Sequence, residues 1–183
     1  MKKLSIFTSM FLISLIVLCV LFHTMGFRIN LTESIPIGLY RITGEAPIKN
    51  AYVIFCPDSR KSFRLAKDRG YIDHGLFCDG YGYLMKKVVA VSGDILSVTN
   101  KGVFVNQILT PYSKPKPRDG MKRSLPQWQV MNYQLQNDEV MTMTSQSEWS
   151  FDGRYYGLVH TGQLKGMITP IWVINKRREP HES

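Results

Sequence analysis

Hydrophobic and polar positions divide the chain into one long apolar run and a series of short ones. Leu4 to Phe22 carries no charge. A run of that length spans a bilayer core of roughly 30 Å, and it exceeds the about 7–15 residues of a signal-peptide core. The stretch from Leu21 to Gly26 has no A-x-A-like cleavage site. The pattern predicts an uncleaved signal anchor; a cleaved signal peptide and a buried core helix are the rival readings. Lys2 and Lys3 precede the run, and Arg28 is the one charge shortly after it. The positive-inside bias then puts the N-terminus in the cytoplasm and the remainder outside, which in a bacterium is the periplasm. The expected organisation is a cytoplasmic stub and single-pass inner-membrane anchor at 1–26, followed by one outer domain at 27–183.

Beyond the anchor the apolar stretches are short and rich in β-branched residues, which predicts a mainly β domain. Asn30 to Ile42 reads as a loop entering a strand, because Pro36 and Gly38 interrupt regular structure before Leu39-Tyr40-Arg41-Ile42. Ala51 to Phe55 reads as a strand ended by Cys56-Pro57-Asp58. Ser59 to Arg69 sets Phe63, Leu65 and Ala66 among basic residues and suggests a short helix. Asp73 to Gly82 is rich in glycine and aspartate and reads as a loop. Tyr83 to Val91 is apolar with two lysines inside, as in a strand buried on both faces. Ile95 to Val98 and Val103 to Val105 flank Thr99-Asn100-Lys101-Gly102, a hairpin signal. Pro111 to Pro126 mixes prolines with Lys114, Lys116, Arg118, Lys122 and Arg123. It predicts an exposed, partly extended basic loop that touches lipid headgroups or substrate, or else a solvated insertion. Glu139 to Thr144 and Met167 to Ile174 are further strands, with Pro170 marking an edge or a bulge in the latter. Ser150 to Gly157 reads as a polar and aromatic loop, and Lys176 to Ser183 as a charged tail.

Composition changes this picture little. The 183 residues suffice for one domain and an anchor. The formal net charge of +9 suits a domain tethered beside an anionic membrane surface. Nucleic acid is not expected as a partner, because no interleaved aromatic and basic motif is present. Cys19 falls in the apolar run. Cys56 and Cys78 fall in the outer domain, and in an oxidising compartment they most simply form one disulfide. Its loop of about 22 residues would stabilise the fold by roughly 3 kcal/mol in the chain-entropy model. His74 stands near Cys78, but the chain has no CxxC or HxxxH, so neither a metal nor another cofactor is expected.

The chemistry resides in Ser34, shortly after the apolar run, and in Lys86 and Lys87, inside an apolar strand. A serine hydroxyl needs a base beside it. A free lysine, with a pKa near 10.4, is protonated and cannot serve. Burial disfavours the ammonium and lowers that pKa by up to roughly 3–5 units. An anchor, a serine and a lysine on an apolar strand therefore outline a Ser/Lys protease acting at a membrane. By period two, Lys86 shares a face with Leu84, Val88 and Ala90, and Lys87 with Tyr83, Met85, Val89 and Val91. Periodicity leaves open which lysine turns inward, or whether both snorkel to solvent at a sheet edge. A histidine triad is the other catalytic option, but neither His74 nor His160 stands in a recognisable context for one.

Three ordered boxes carry a family resemblance. Ser34-Ile35-Pro36-Ile37-Gly38-Leu39-Tyr40, preceded by Asn30, Thr32 and Glu33, resembles the nucleophile box of the TraF-type proteases of conjugative plasmid transfer. These are relatives of bacterial type I signal peptidases. Leu84 to Asp94, with its Lys86-Lys87 pair and closing Gly93-Asp94, resembles the lysine box, in which the first of two basic residues is the base. Ser150-Phe151-Asp152-Gly153-Arg154-Tyr155-Tyr156-Gly157 resembles the third box, and Gly166 to Trp172 the family's last strand.

The resemblance implies a signal-peptidase-like β domain behind one transmembrane helix, and it selects Lys86 over Lys87. Ser34 would attack the scissile carbonyl, Lys86 would act as base, and Ser150 would aim the lysine. Asp152 and Arg154 match a supporting pair, with the aspartate also held important for activity in that subfamily; a plain loop ion pair is the alternative. The Ser34 N–H and the Thr32 hydroxyl would form the oxyanion hole. The implied partner is a membrane-embedded conjugative pilin precursor, cleaved and either hydrolysed or cyclised, in company with other conjugation or type IV secretion components. Gly153 stands where the family has serine, which is expected to loosen the turn. The Gly-Asp-Asn-Arg run of ordinary signal peptidases is absent, and isoleucine rather than methionine follows Ser34. Both departures favour the conjugation branch over a general signal peptidase for exported preproteins; a non-catalytic envelope subunit of the transfer apparatus is the alternative of another class.

Overall fold

The computed structural model describes residues 2–144 and 146–174. Helix α1 (Lys2–Thr24) begins with two lysines and carries no charge from Leu4 to Phe22. Its segment Ile6–Thr24 is long and apolar enough to cross a membrane, and 0% of it is buried against the rest of the chain. Among the described residues none buries this segment, so it is not a core helix. Gly26, at φ +85°, turns the chain out of it.

Two sheets follow. Strands β1 (Phe27–Asn30), β2 (Ile37–Thr43) and β3 (Tyr52–Phe55) are laid down first, then helix α2 (Lys61–Asp68) and strand β4 (His74–Cys78). Strand β5 (Leu84–Ala90) precedes a meander of β6 (Ile95–Thr99), β7 (Gly102–Val105) and β8 (Ile108–Leu109). After a long loop come β9 (Val130–Gln134), β10 (Glu139–Met143), the single-turn helix α3 (Gly153–Tyr156), β11 (Val159–His160) and β12 (Leu164–Ile174). The seven-stranded sheet runs β1-β2-β12-β3-β5-β10-β11, and the four-stranded sheet β8-β7-β6-β9. The domain is mainly β, as its pattern predicts.

Strand β5 is central because both neighbours read its pattern. It pairs with β3, Lys86 opposite Val53 and Lys87 opposite Tyr52, and with β10 on its other side. It alternates buried and half-buried up to Lys87 and is buried on both faces only from Val88 to Ala90. There its second face meets the small sheet, in a core of Val89, Leu96, Val98, Val103 and Met141. The first half covers a different core, of Val53, Phe55, Phe63, Val88 and Tyr156. Helix α2 contributes Phe63 and Ala66, one helical face, to that core.

Pro170 marks a bulge rather than an edge strand. β12 lies between β2 and β3, and its register with β2 shifts between Pro170 and Trp172. Its pairing with β3 ends at Ile168, so Pro170 lies beyond the sheet partner to which an N–H would be owed.

Other expectations need correction. Asp73 to Gly82 holds strand β4, folded back so that His74 and Cys78 both bridge Tyr81. Ser150 to Gly157 holds a turn of helix, capped by Asp152, whose side chain accepts from the Arg154 N–H. The segment 111–126 is largely exposed, as expected, but it is tied to the domain: Ser113 is buried, and Asp119, Arg123 and Tyr71 are joined by side-chain hydrogen bonds. Cys56 and Cys78 form a disulfide across 5.2 Å between Cα atoms, tying the end of β4 to the segment after β3. The Lys176–Ser183 tail lies outside the described residues.

Candidate active site

Ser34 sits on the turn between β1 and β2. The turn is shaped from within by Asn30, whose Nδ2 lies 2.8, 3.0 and 3.1 Å from the carbonyls of Thr32, Ile35 and Pro36. Asn30 Oδ1 accepts from the Thr32 N–H and, at 2.9 Å, from the Thr32 hydroxyl. Ile35 is fully buried, and the buried Tyr40 donates its hydroxyl to the Pro36 carbonyl at 2.6 Å. A serine flanked by such anchors cannot swing away. The role of Asn30 was readable, because an Asn side chain bonding its own backbone two residues on is a turn signature.

Lys86 comes up from β5 to meet it. Its Nζ lies 2.5 Å from Ser34 Oγ and 2.7 Å from Ser150 Oγ, and the two hydroxyls are 2.9 Å apart. With a neutral amine the triangle closes consistently: Ser34 donates to Lys86, Lys86 to Ser150, and Ser150 to Ser34. Lys86 is 3% exposed. Burial pushes its pKa down to about 8; the Asp152 carboxylate acts against that shift and the Arg154 charge adds to it. Lys87 turns to the half-exposed face. β5 thus resolves what periodicity left open.

Asp152 and Arg154 are both fully buried. Arg154 Nε and Nη2 reach the two Asp152 oxygens at 2.7 and 2.9 Å. The remaining donors reach backbone carbonyls of Ser150 (2.9 Å), Tyr112 (2.9 Å), Glu148 (3.1 Å) and Lys114 (3.2 Å). The arginine thus fixes the backbone of Ser150 and pins the proline-rich segment beside it. The Tyr155 hydroxyl accepts from the Lys116 N–H at 3.0 Å. Lys116 Nζ in turn lies 3.6 Å above the Trp149 ring and pairs with Glu148 at 3.0 Å.

Thr144 links the halves, and nothing in the sequence marked it. Its N–H donates to Asp152 Oδ2 at 3.1 Å, and its hydroxyl donates to the Ser34 carbonyl at 3.2 Å. The expected looseness at Gly153 is not seen. Gly153 is buried, and a Cβ there would lie 2.6 Å from Met141 Sδ and 2.7 Å from the Thr142 carbonyl. Met141 fills the space a larger residue would need.

The triangle opens into a cavity of about 510 Å³. Leu31, Thr32, Tyr83, Met85, Leu125 and Trp149 are among the residues that line it. The Thr32 hydroxyl borders this cavity but spends its one hydrogen on Asn30, so the second oxyanion donor expected there is engaged elsewhere. Among the described residues no cluster of His, Cys, Asp and Glu could hold a metal.

Residues 2–173 match the family described as signal peptidase, peptidase S26. The plasmid transfer protein TraF of Escherichia coli is 46% identical over 150 residues, 81% of this chain and 84% of that protein. A conjugal transfer protein TraF of Agrobacterium tumefaciens (strain 15955) is 31% identical over 155 residues, 83% of this chain and 85% of its own. A crystal structure of a signal peptidase I from Enterococcus faecalis V583 is 14% identical, covers 69% of this chain and 100% of that one, and has a TM-score of 0.41.

Proposed function

The chain belongs to the S26 signal peptidase family, among its TraF-type members of conjugal transfer, and from that premise we propose that it is a membrane-anchored serine endopeptidase and acyl transferase that matures a conjugative pilin precursor. The observation that carries the reading is the Ser34–Lys86–Ser150 triangle, in which a buried lysine touches two hydroxyls. The anchor at 1–26 crosses the inner membrane with its N-terminus in the cytoplasm. The domain at 27–183 faces the periplasm, where it meets a substrate held in the same bilayer and other components of the transfer machinery.

Neutral Lys86 takes the Ser34 proton as Oγ bonds to the scissile carbonyl carbon. The carbonyl oxygen becomes an oxyanion, for which the Ser34 N–H serves as the backbone donor. Collapse breaks the C–N bond, and the Lys86 ammonium gives its proton to the leaving amine. The resulting Ser34 ester is resolved by water, or by the substrate's own N-terminal amine in a cyclisation. In either case Lys86 takes a proton from the attacking group and returns it to Ser34 Oγ.

The test is to express the cognate pilin precursor with this protein, with Ser34→Ala and with Lys86→Ala, and to take intact masses. A processed product is expected with the unaltered protein alone. A mass lower by one water than the linear product assigns cyclisation. An unprocessed precursor in all three samples overturns the pilin reading.

A further inference from the structure

Strand β4 and its return to Tyr81 form a narrow finger that the catalytic reading does not use. Leu76 is 92% exposed and Phe77 is 60% exposed. Neighbours on a strand face opposite ways, so the finger shows apolar side chains on both sides. Its base is held firmly. Ile72 is buried, the Gly82 N–H donates to the Asp73 carbonyl at 2.6 Å, and the disulfide joins Cys78 to Cys56. Asp79 and Gly80, at φ +50° and +82°, make its turn. A disulfide-held finger that leaves Leu76 almost wholly exposed and Phe77 more than half exposed has use for an apolar partner.

Its position identifies the partner. The Phe77 ring stacks on His23, in the last turn of α1, at 4.6 Å between centroids. Phe77 also stacks on Tyr83 at 6.3 Å, and the Arg28 guanidinium lies 5.6 Å from the centre of the Tyr83 ring. The membrane-crossing segment ends at Thr24, so a ring stacked on His23 lies at the level where bilayer meets water. Tyrosine is among the residues enriched in that layer, where its ring sits at headgroup level. We propose that the finger of residues 73–82 is a second membrane contact, lying in the lipid interface beside the anchor with Leu76 and Phe77 at the boundary between headgroups and acyl chains. Asp73 and Asp79, both exposed, flank the apolar pair and stay in the headgroup water. The proposal rests on reading α1 as the membrane anchor.

The finger has a consequence for the site. Ile72 and Tyr83, which flank it, both line the cavity beside Ser34. A finger held in the interface sets the height of that cavity above the bilayer and stops the domain from swinging on its tether. A substrate emerging from the same bilayer then meets Ser34 at a fixed distance from the lipid.

The test uses the full chain in membrane vesicles of bacterial phospholipid. A photoreactive benzoylphenylalanine is placed in turn at Leu76, Phe77, Leu12 and Ile108, and adducts are identified by mass after irradiation. Leu12 lies within α1, and Ile108 is 74% exposed on the far sheet. Phospholipid adducts are expected at positions 12, 76 and 77 and not at 108. Lipid adducts at Leu12 but none at Leu76 or Phe77 would overturn the finger's role and leave the anchor standing. Adducts at Leu76 to another protein molecule rather than to lipid would overturn it in favour of a protein partner. Absence of lipid at Leu12 as well would remove the anchor and this proposal together.

Discussion

Lys86 and Arg154 are buried cations on opposite sides of one site, and their surroundings treat them in opposite ways. Arg154 has a carboxylate on two of its nitrogens and backbone carbonyls on the others. Lys86 has two hydroxyls, and among the described residues it makes no ion pair. A guanidinium does not lose its proton under these conditions, so a buried arginine must be fully paired. An ammonium can lose its proton, and withholding a carboxylate makes that the cheaper outcome. One region is built for permanence and the other for a proton that comes and goes.

Exchanging the two kinds of cation breaks the contrast most severely. Lys86→Arg retains positive charge and removes the base, so the rate of pilin cleavage should fall by roughly a thousandfold or more. In the unaltered enzyme, kcat/KM should rise with pH to a plateau with a midpoint near 8, as Lys86 loses its proton. Single-turnover cleavage across that range reads both effects. Activity retained in Lys86→Arg would mean that the base is another group.

Asp152→Asn attacks the permanent side. It leaves Arg154 buried without its counter-charge, at a cost of about 3–5 kcal/mol in stability. It should also reach the labile side. The Asp152 carboxylate holds the Lys86 pKa up, so its removal lets that pKa fall below about 8. The pH midpoint of the remaining activity should then shift to lower pH. A midpoint that stays put or rises would show that Asp152 acts on structure alone.

Lys86→Met measures what the labile cation costs. An unfolded lysine holds its proton to about 10.5, and the folded one releases it near 8. Between those values the unfolded state binds more protons, so stability should rise with pH across that window. At neutral pH the buried lysine costs the fold on the order of 3 kcal/mol. Lys86→Met should gain that amount in denaturant melts at pH 7 and lose the upward slope between pH 8 and 10.5. A flat profile in the unaltered protein would mean that Lys86 is not protonated differently in the two states.

The two sides were unequally legible in the sequence. Lys86 declares itself by chemistry, as a lysine on an apolar strand, and two candidates remained only because period two cannot say which face the sheet buries. β3 and β10 settle that by pairing. The partners of Arg154 lie beyond such reading. Four of them are backbone carbonyls, some about forty positions away in the chain, and a carbonyl is the same whatever residue carries it. Strands β6 and β7 showed as β-rich runs on either side of a turn signal, whereas β4 hid Leu76 and Phe77 among glycines and aspartates. β9 was missed because none of its residues is buried, so no apolar period marks it.

Thr144 joins the two sides, and the smallest of these effects follows from cutting that link. Its hydroxyl donates to the Ser34 carbonyl at 3.2 Å and accepts from the N–H groups of Ser147 at 2.9 Å and Gln146 at 3.2 Å. Thr144→Val keeps the volume, removes the hydroxyl and leaves those groups without this partner, at a cost of about 1–2 kcal/mol. Part of that loss falls on the placement of Ser34, so kcat should drop about tenfold with KM little changed. Thr144→Ser should recover most of the rate, because it restores the donor without the methyl group. A valine variant that is less stable yet turns over at the full rate would show that the link merely holds the fold together. A loss in both valine and serine variants would point instead to the packing of the methyl group, since Thr144 is only 2% exposed.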